Sequence, residues 1–432
     1  MNSLKAQPVS LDDSIKGMPG GMPPVSSTQI GQLNWNLLNE DLPLPLAVIN
    51  ENALKENSQW MSKFLDRTGA HICPHGKSSM SPEILNLHLE SGAWGITAAT
   101  SGHVQVYRNF GVQRILLANQ LVGRQNIRYI LDELRSDPDF DFYCLVDSAA
   151  GLEALLEAID ANPIGRPLQL LLEIGAMGAR TGVRAEDRAK QLATSISEAY
   201  PRVVLRGLET YEAIFVAERD EEVEARVDEL LANVVSMARW CDSHQLFGEG
   251  PVVLSAGGSA YFDLVVRAFG ECELQKPTMT VLRCSSYLAH DSGLNDRSFN
   301  RLLQRNDSTK APSGKLTHSL EVWAYVQSIP EPGLALVTMG KRDISFDIEM
   351  PIPLHVFRPG EDHETHPTSA DCYVASLNDQ HGYLRFPPSE DLRVGDMVGF
   401  GVSHACTTFD KWRVILTVAD DYSITGAIST WF

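Results

Sequence analysis

The chain has 432 residues, 44% of them hydrophobic, which is enough to bury substantial cores and long enough for two or three domains. With 36 basic against 55 acidic residues the net charge is −19, and there is no lysine or arginine tract of the kind that binds nucleic acid by counterion release, so nucleic acid and acidic membranes are poor partners. No run approaches the roughly 18 apolar residues of a membrane span, the N-terminus lacks a leader-like series, and seven scattered cysteines, an odd number, suit the reduced thiols of a cytoplasm better than a disulfide framework.

Residues 1–43 contain Gly17, Pro19, Gly20, Gly21, Pro23 and Pro24 followed by Ser26, Ser27 and Thr28, a composition that predicts an irregular N-terminal arm, which can pack on another domain. The run 46–49 that follows is able to pair with either of the domains beyond it. From there, short apolar runs alternate with helical stretches: candidate strands at 71–73, 94–97, 114–117, 142–146, 168–173, 203–208, 251–254 and 279–283, with helices such as 125–136, 150–161 and 184–200 between them. Strands and helices in this alternation predict a (β/α)8 TIM-type barrel over 44–305, an open doubly wound sheet being the alternative that the count disfavours. Beyond it the helical pattern stops. Runs at 316–328, 334–339, 371–377, 396–402 and 413–418, punctuated by Pro, Gly and Asp, predict a second, β-rich domain over 306–432.

Barrel enzymes carry their reacting groups at the C-terminal ends of strands, and often hold phosphate after strands seven and eight. After the first strand comes Pro74-His75-Gly76-Lys77-Ser78, which places a histidine and a lysine at the mouth. After the seventh comes Gly257-Gly258-Ser259, where missing side chains let backbone N–H groups approach a phosphate and Ser259 can add a donor. Either feature alone reads equally as an ordinary surface lysine or a tight turn; their joint placement points to a phosphate-bearing carbonyl cofactor. In the second domain, Gly401-Val402-Ser403-His404-Ala405-Cys406, if extended, aims His404 and Cys406 at one face, where imidazole and thiolate favour zinc. A buried cysteine beside a satisfied histidine is the plainer alternative.

These motifs, with Leu44-Pro45-Leu46-Ala47-Val48-Ile49, residues 173–182, residues 205–212 and Gln380-His381-Gly382, resemble the alanine-racemase-like, fold-type III pyridoxal phosphate enzymes. The particular group is that of D-serine dehydratase (D-serine deaminase), D-threonine aldolase and 3-hydroxy-D-aspartate lyases, and the similarity runs from about Leu44 to the C-terminus. The resemblance implies pyridoxal 5'-phosphate on Lys77, the catalytic lysine, with His75, Arg180, Tyr211, Gly257, Gly258 and Ser259 around the cofactor. It also implies Tyr287 facing substrate, zinc on His404 and Cys406, and a homodimer.

The activity so implied is β-elimination from a D-3-hydroxy amino acid, D-serine first, to a 2-oxo acid and ammonia. The rivals are retro-aldol cleavage of D-threonine or 3-hydroxy-D-aspartate, then racemisation, then a non-catalytic cofactor carrier. Cys406 favours dehydration, because the aldolases of this group tend to carry aspartate there. Two departures bear on substrate: Gln380 stands where glutamate is frequent, and Cys284-Ser285-Ser286-Tyr287 replaces a glycine-containing form.

Overall fold

Strand formation follows the β-branched and leucine-rich runs. The computed structural model describes residues 4, 8–217, 219–305 and 311–432. His71–Ile72, Ile96–Ala98, Arg114–Gln120, Asp141–Val146, Leu168–Glu173, Val203–Glu209, Val252–Ala256 and Thr278–Leu282 form one eight-stranded parallel sheet. The first strand pairs with the eighth, and a parallel bridge between His75 and Thr97 closes the first onto the second. The expected barrel is therefore present.

Alternation along the strands divides the core. Cys73, Leu116, Ala118, Tyr143, Leu145, Leu171, Val253 and Val281 fill the lumen, while residues one position away, such as Ile115, Cys144, Leu170 and Leu254, pack outward against the helices. Those helices begin where a polar side chain captures a free N–H: Asn50 before Glu51–Thr68, Ser81 before Pro82–Glu90, Thr100 before Ser101–Phe110 and Ser148 before Ala149–Ala161.

The second sheet has ten strands and is almost wholly antiparallel. Leu46–Asn50, whose domain the sequence leaves open, belongs here: it pairs with Leu320–Glu331 and runs parallel to Val414–Val418. The chain thus starts in the second sheet, crosses to the barrel through Glu51–Thr68, and returns. The N-terminal arm is more ordered than its composition suggests. It forms 3-10 turns at Ser27–Leu33 and Leu37–Asn39, buries Leu11, Ile30 and Leu37 completely, and bridges the second sheet through Asn36 and Ser423. Three apolar anchors outweigh the irregular backbone. The end of the barrel segment, after Leu294–Arg305, abuts residues 306–310, which lie outside the described residues.

Candidate active site and metal pair

Lys77 sits in the one-turn helix Gly76–Ser78 at the end of the first barrel strand. The turn is fixed from below: a Cβ on Gly76 would strike the Tyr107 hydroxyl at 2.5 Å, and the Ser78 hydroxyl donates to the His75 carbonyl at 2.9 Å. Among the described residues Lys77 is exposed and makes no hydrogen bond or ion pair. Burial, then the nearby charges of Arg283, Lys77 and Arg180, holds His75 well below the usual imidazole range, so its ring is neutral. Its Nδ1 is buried without a partner among the described residues.

Carboxylates and cations converge at the other strand ends. Arg283 is buried, paired with Glu209, and donates to the Thr210 carbonyl at 2.8 Å. Glu173 accepts from Gln120 and, at 2.6 Å, from Thr181. The Arg180 guanidinium lies 4.5 Å over the Tyr211 ring. Burial raises the Tyr211 phenol, as does Glu212, against the pull of Arg180 and Arg283. Arg283 Nε and Glu209 Oε2 are left without partners among the described residues.

After the seventh strand, Gly257 has φ +97°, a conformation that favours glycine, and a Cβ on Gly258 would press on Ala213 at 3.0 Å. The two N–H groups donate to the Glu212 carboxylate at 3.1 and 2.5 Å. This turn accepts an anion, and an internal carboxylate fills part of that role. The next donors, the N–H groups of Ser259 and Ala260 and the Ser259 hydroxyl, make no hydrogen bond among the described residues and stand just before the helix Phe262–Gly270. A phosphate fits these donors, given the helix N-terminus behind them.

His404 and Cys406 meet by a different route from the one their spacing suggests. The strand stops at Gly401, and His404 opens a short helix, Ala405–Phe409, because side chains pull the chain out of the sheet. Ser403 donates to the Glu349 carbonyl at 2.6 Å and the His404 N–H to Ser345 Oγ at 3.1 Å. The Cys406 side chain acts electrostatically on the His404 ring, whose Nδ1 is 2.7 Å from Asp347 Oδ2. Together these raise His404 to about 9, the Cys406 contact being the largest cause and burial opposing it. Nδ1 bound to a carboxylate, with Nε2 and a thiol left over, is a donor set suited to zinc.

The helix bearing Cys406 packs on the turn bearing Lys77, and Tyr211 lies within electrostatic range of Cys406. Both domains therefore contribute to one mouth. Tyr287 is placed differently from its companions: it is 4% exposed, with its hydroxyl 2.9 Å from His88 Nδ1. The sequence reading assigned no role to Arg283, Glu209, Glu212 or Asp347. Glu209 and Glu212 lie within the stretch 205–212 that carries the resemblance, whereas Asp347 is 57 residues from His404 and has no local signal.

A parallel barrel joined to an antiparallel domain is the alanine-racemase-like fold. Residues 319–418 match the family described as a putative serine dehydratase domain. D-threo-3-hydroxyaspartate dehydratase from Delftia sp. (strain HT23) is 26% identical over 259 residues, covering 56% of this chain and 67% of the relative. D-threonine aldolase from Arthrobacter sp. is 24% identical over 382 residues, 87% of this chain and 89% of the relative. Among solved structures, D-threonine aldolase from Filomicrobium marinum superposes with a TM-score of 0.73 at 22% identity, covering 92% of this chain and 97% of the other. A cysteine-to-alanine variant of D-threo-3-hydroxyaspartate dehydratase, in the metal-free form, gives 0.68 at 20% identity, covering 92% and 99%. The resemblance drawn from the motifs, to the D-serine dehydratase and D-threonine aldolase group, is borne out.

Proposed function

We propose that this chain carries out β-elimination of a D-3-hydroxy amino acid, D-serine first, to a 2-oxo acid and ammonia, using pyridoxal 5'-phosphate on Lys77 and zinc on His404 and Cys406. The observation that carries the reading is the packing of the Cys406 helix on the Lys77 turn, which brings a zinc-type donor pair beside an amine that has no ion pair among the described residues. When bound, the cofactor supplies an electron sink at Cα and the metal supplies Lewis acidity at the leaving hydroxyl.

The chain's own residues do the rest. Lys77, at the end of the first barrel strand, would be the base for the Cα proton. Ser259 and the turn around it hold the phosphate, with the Glu212 carboxylate bracing Gly257 and Gly258 from behind. Arg180 over Tyr211 forms one wall, and neutral His75 another. Buried Arg283 adds positive potential toward anionic groups at the mouth. Tyr287, bonded to His88, would reach substrate only through that pair.

Retro-aldol cleavage is the second reading, favoured by the aldolase relative that covers 87% of this chain. We further propose a cytoplasmic homodimer. No helix among the described residues is long and apolar enough to cross a membrane, and all seven cysteines are free. The test is incubation of purified protein with D-serine and D-threonine, with and without a chelator, assaying both product pairs. Chelator-sensitive 2-oxo acid and ammonia is the expected result. Glycine and an aldehyde would make the enzyme an aldolase.

A further inference from the structure

We propose that His318, Glu321 and His355, in the second domain, form another metal site, for a divalent first-row transition ion such as zinc, separate from His404 and Cys406. The ligand atoms of the three residues all lie within 4.8 Å of one another. Glu321 Oε1 is 3.7 Å from His318 Nε2 and 3.8 Å from His355 Nε2, too far for hydrogen bonds. Donors around a tetrahedral zinc at about 2.1 Å stand about 3.4 Å apart, so a small contraction closes the three around an ion.

The sheet builds this arrangement. Glu321 and Trp323 lie on one face of Leu320–Glu331, and His355 lies on Ile352–Phe357, two strands away across Met397–Gly401. Gly399 stands between Trp323 and His355 in the register, and a Cβ there would strike the indole at 2.7 Å. The central strand thus raises no side chain between the outer two.

The carboxylate is also aimed. Glu321 Oε2 accepts from Trp323 Nε1 at 2.8 Å and from the Tyr422 hydroxyl at 3.1 Å, which leaves Oε1 toward the two imidazoles. Outer hydrogen bonds of this kind orient metal-binding carboxylates. His318 and His355 keep about a third of their side-chain surface exposed, at 32% and 30%, so an ion can enter. His290, within electrostatic range of His318, is buried with its Nε2 3.6 Å from Asp296 Oδ1 and is not counted among the ligands. Two imidazoles and one carboxylate, with positions left for water, suit zinc or ferrous iron better than magnesium or calcium.

The protein, stripped of metal and titrated with Co²⁺, tests this. Wild type is expected to take up two ions per chain. Cys406→Ser should keep one, with visible d–d bands and no thiolate charge-transfer band, and adding Glu321→Gln or His355→Gln should remove it. Thermal melting in chelator checks that each variant folds, and the two substitutions back each other. Retention of that ion in both double variants, or loss of all cobalt with Cys406→Ser alone, would overturn the site. One ion in wild type, without charge transfer and lost with Glu321→Gln, would support this site while defeating the His404–Cys406 reading.

Discussion

At the scale of single residues, the chemistry of His404 is set by its neighbours. Held at about 9 by Cys406 and Asp347, it keeps its proton at neutral pH in the metal-free protein. A metal must displace that proton, so zinc affinity should climb as pH rises and level off above about 9; a pH-independent affinity from competition titration would mean that His404 is not a ligand. The same shift has a stability sign. A histidine raised above 6.5 stabilises the metal-free fold fully below that pH, and the contribution fades as pH passes through about 9. Asp347 acts through His404, fixing the ring by Nδ1, so Asp347→Asn should weaken zinc binding about 10–100-fold with the barrel intact. Lys77→Ala should abolish the visible absorbance of bound cofactor after dialysis, and a retained band would assign the cofactor to another lysine.

At the scale of elements, the barrel tolerates little where strands cross closely. Gly207 lies in Val203–Glu209 opposite Val253, and a Cβ there would run into the Val253 backbone rather than into a side chain able to turn away. Gly207→Ala should cost about 1–3 kcal/mol or more by overpacking and lower the melting temperature by several degrees. An unchanged melt would mean that the two strands separate without cost. The pair carries Glu209 at the end of one strand and Ser255, just before the Gly257-Gly258 turn, on the other.

At the scale of the whole molecule, the two sheets are sewn together. Leu46–Asn50 is hydrogen-bonded between Leu320–Glu331 and Val414–Val418, and Ala405–Phe409 packs on the Lys77 turn. Residues 44–305 expressed alone would leave Leu46–Asn50, nearly all buried, without its partners, and we expect that fragment to aggregate; a monodisperse fragment with one cooperative melt would show an autonomous barrel. What the sequence determined by itself is local in origin. Apolar runs separated by helical stretches fix the eight strands and their order, and Pro74-His75-Gly76-Lys77-Ser78 and Gly257-Gly258-Ser259 fall at strand ends because strand ends are where such runs stop. The His404 and Cys406 pairing was also visible, though the turn into a helix was not, since Ser345 and Glu349, more than 50 residues away, impose it. Only the tertiary structure decided the rest: the sheet that takes Leu46–Asn50, the carboxylate that braces the glycine turn, the partner of His404, and the gathering of His318, Glu321 and His355 around Gly399. Each depends on strands or loops distant in the chain coming into register, and periodicity within a strand carries no information about which strand lies beside it.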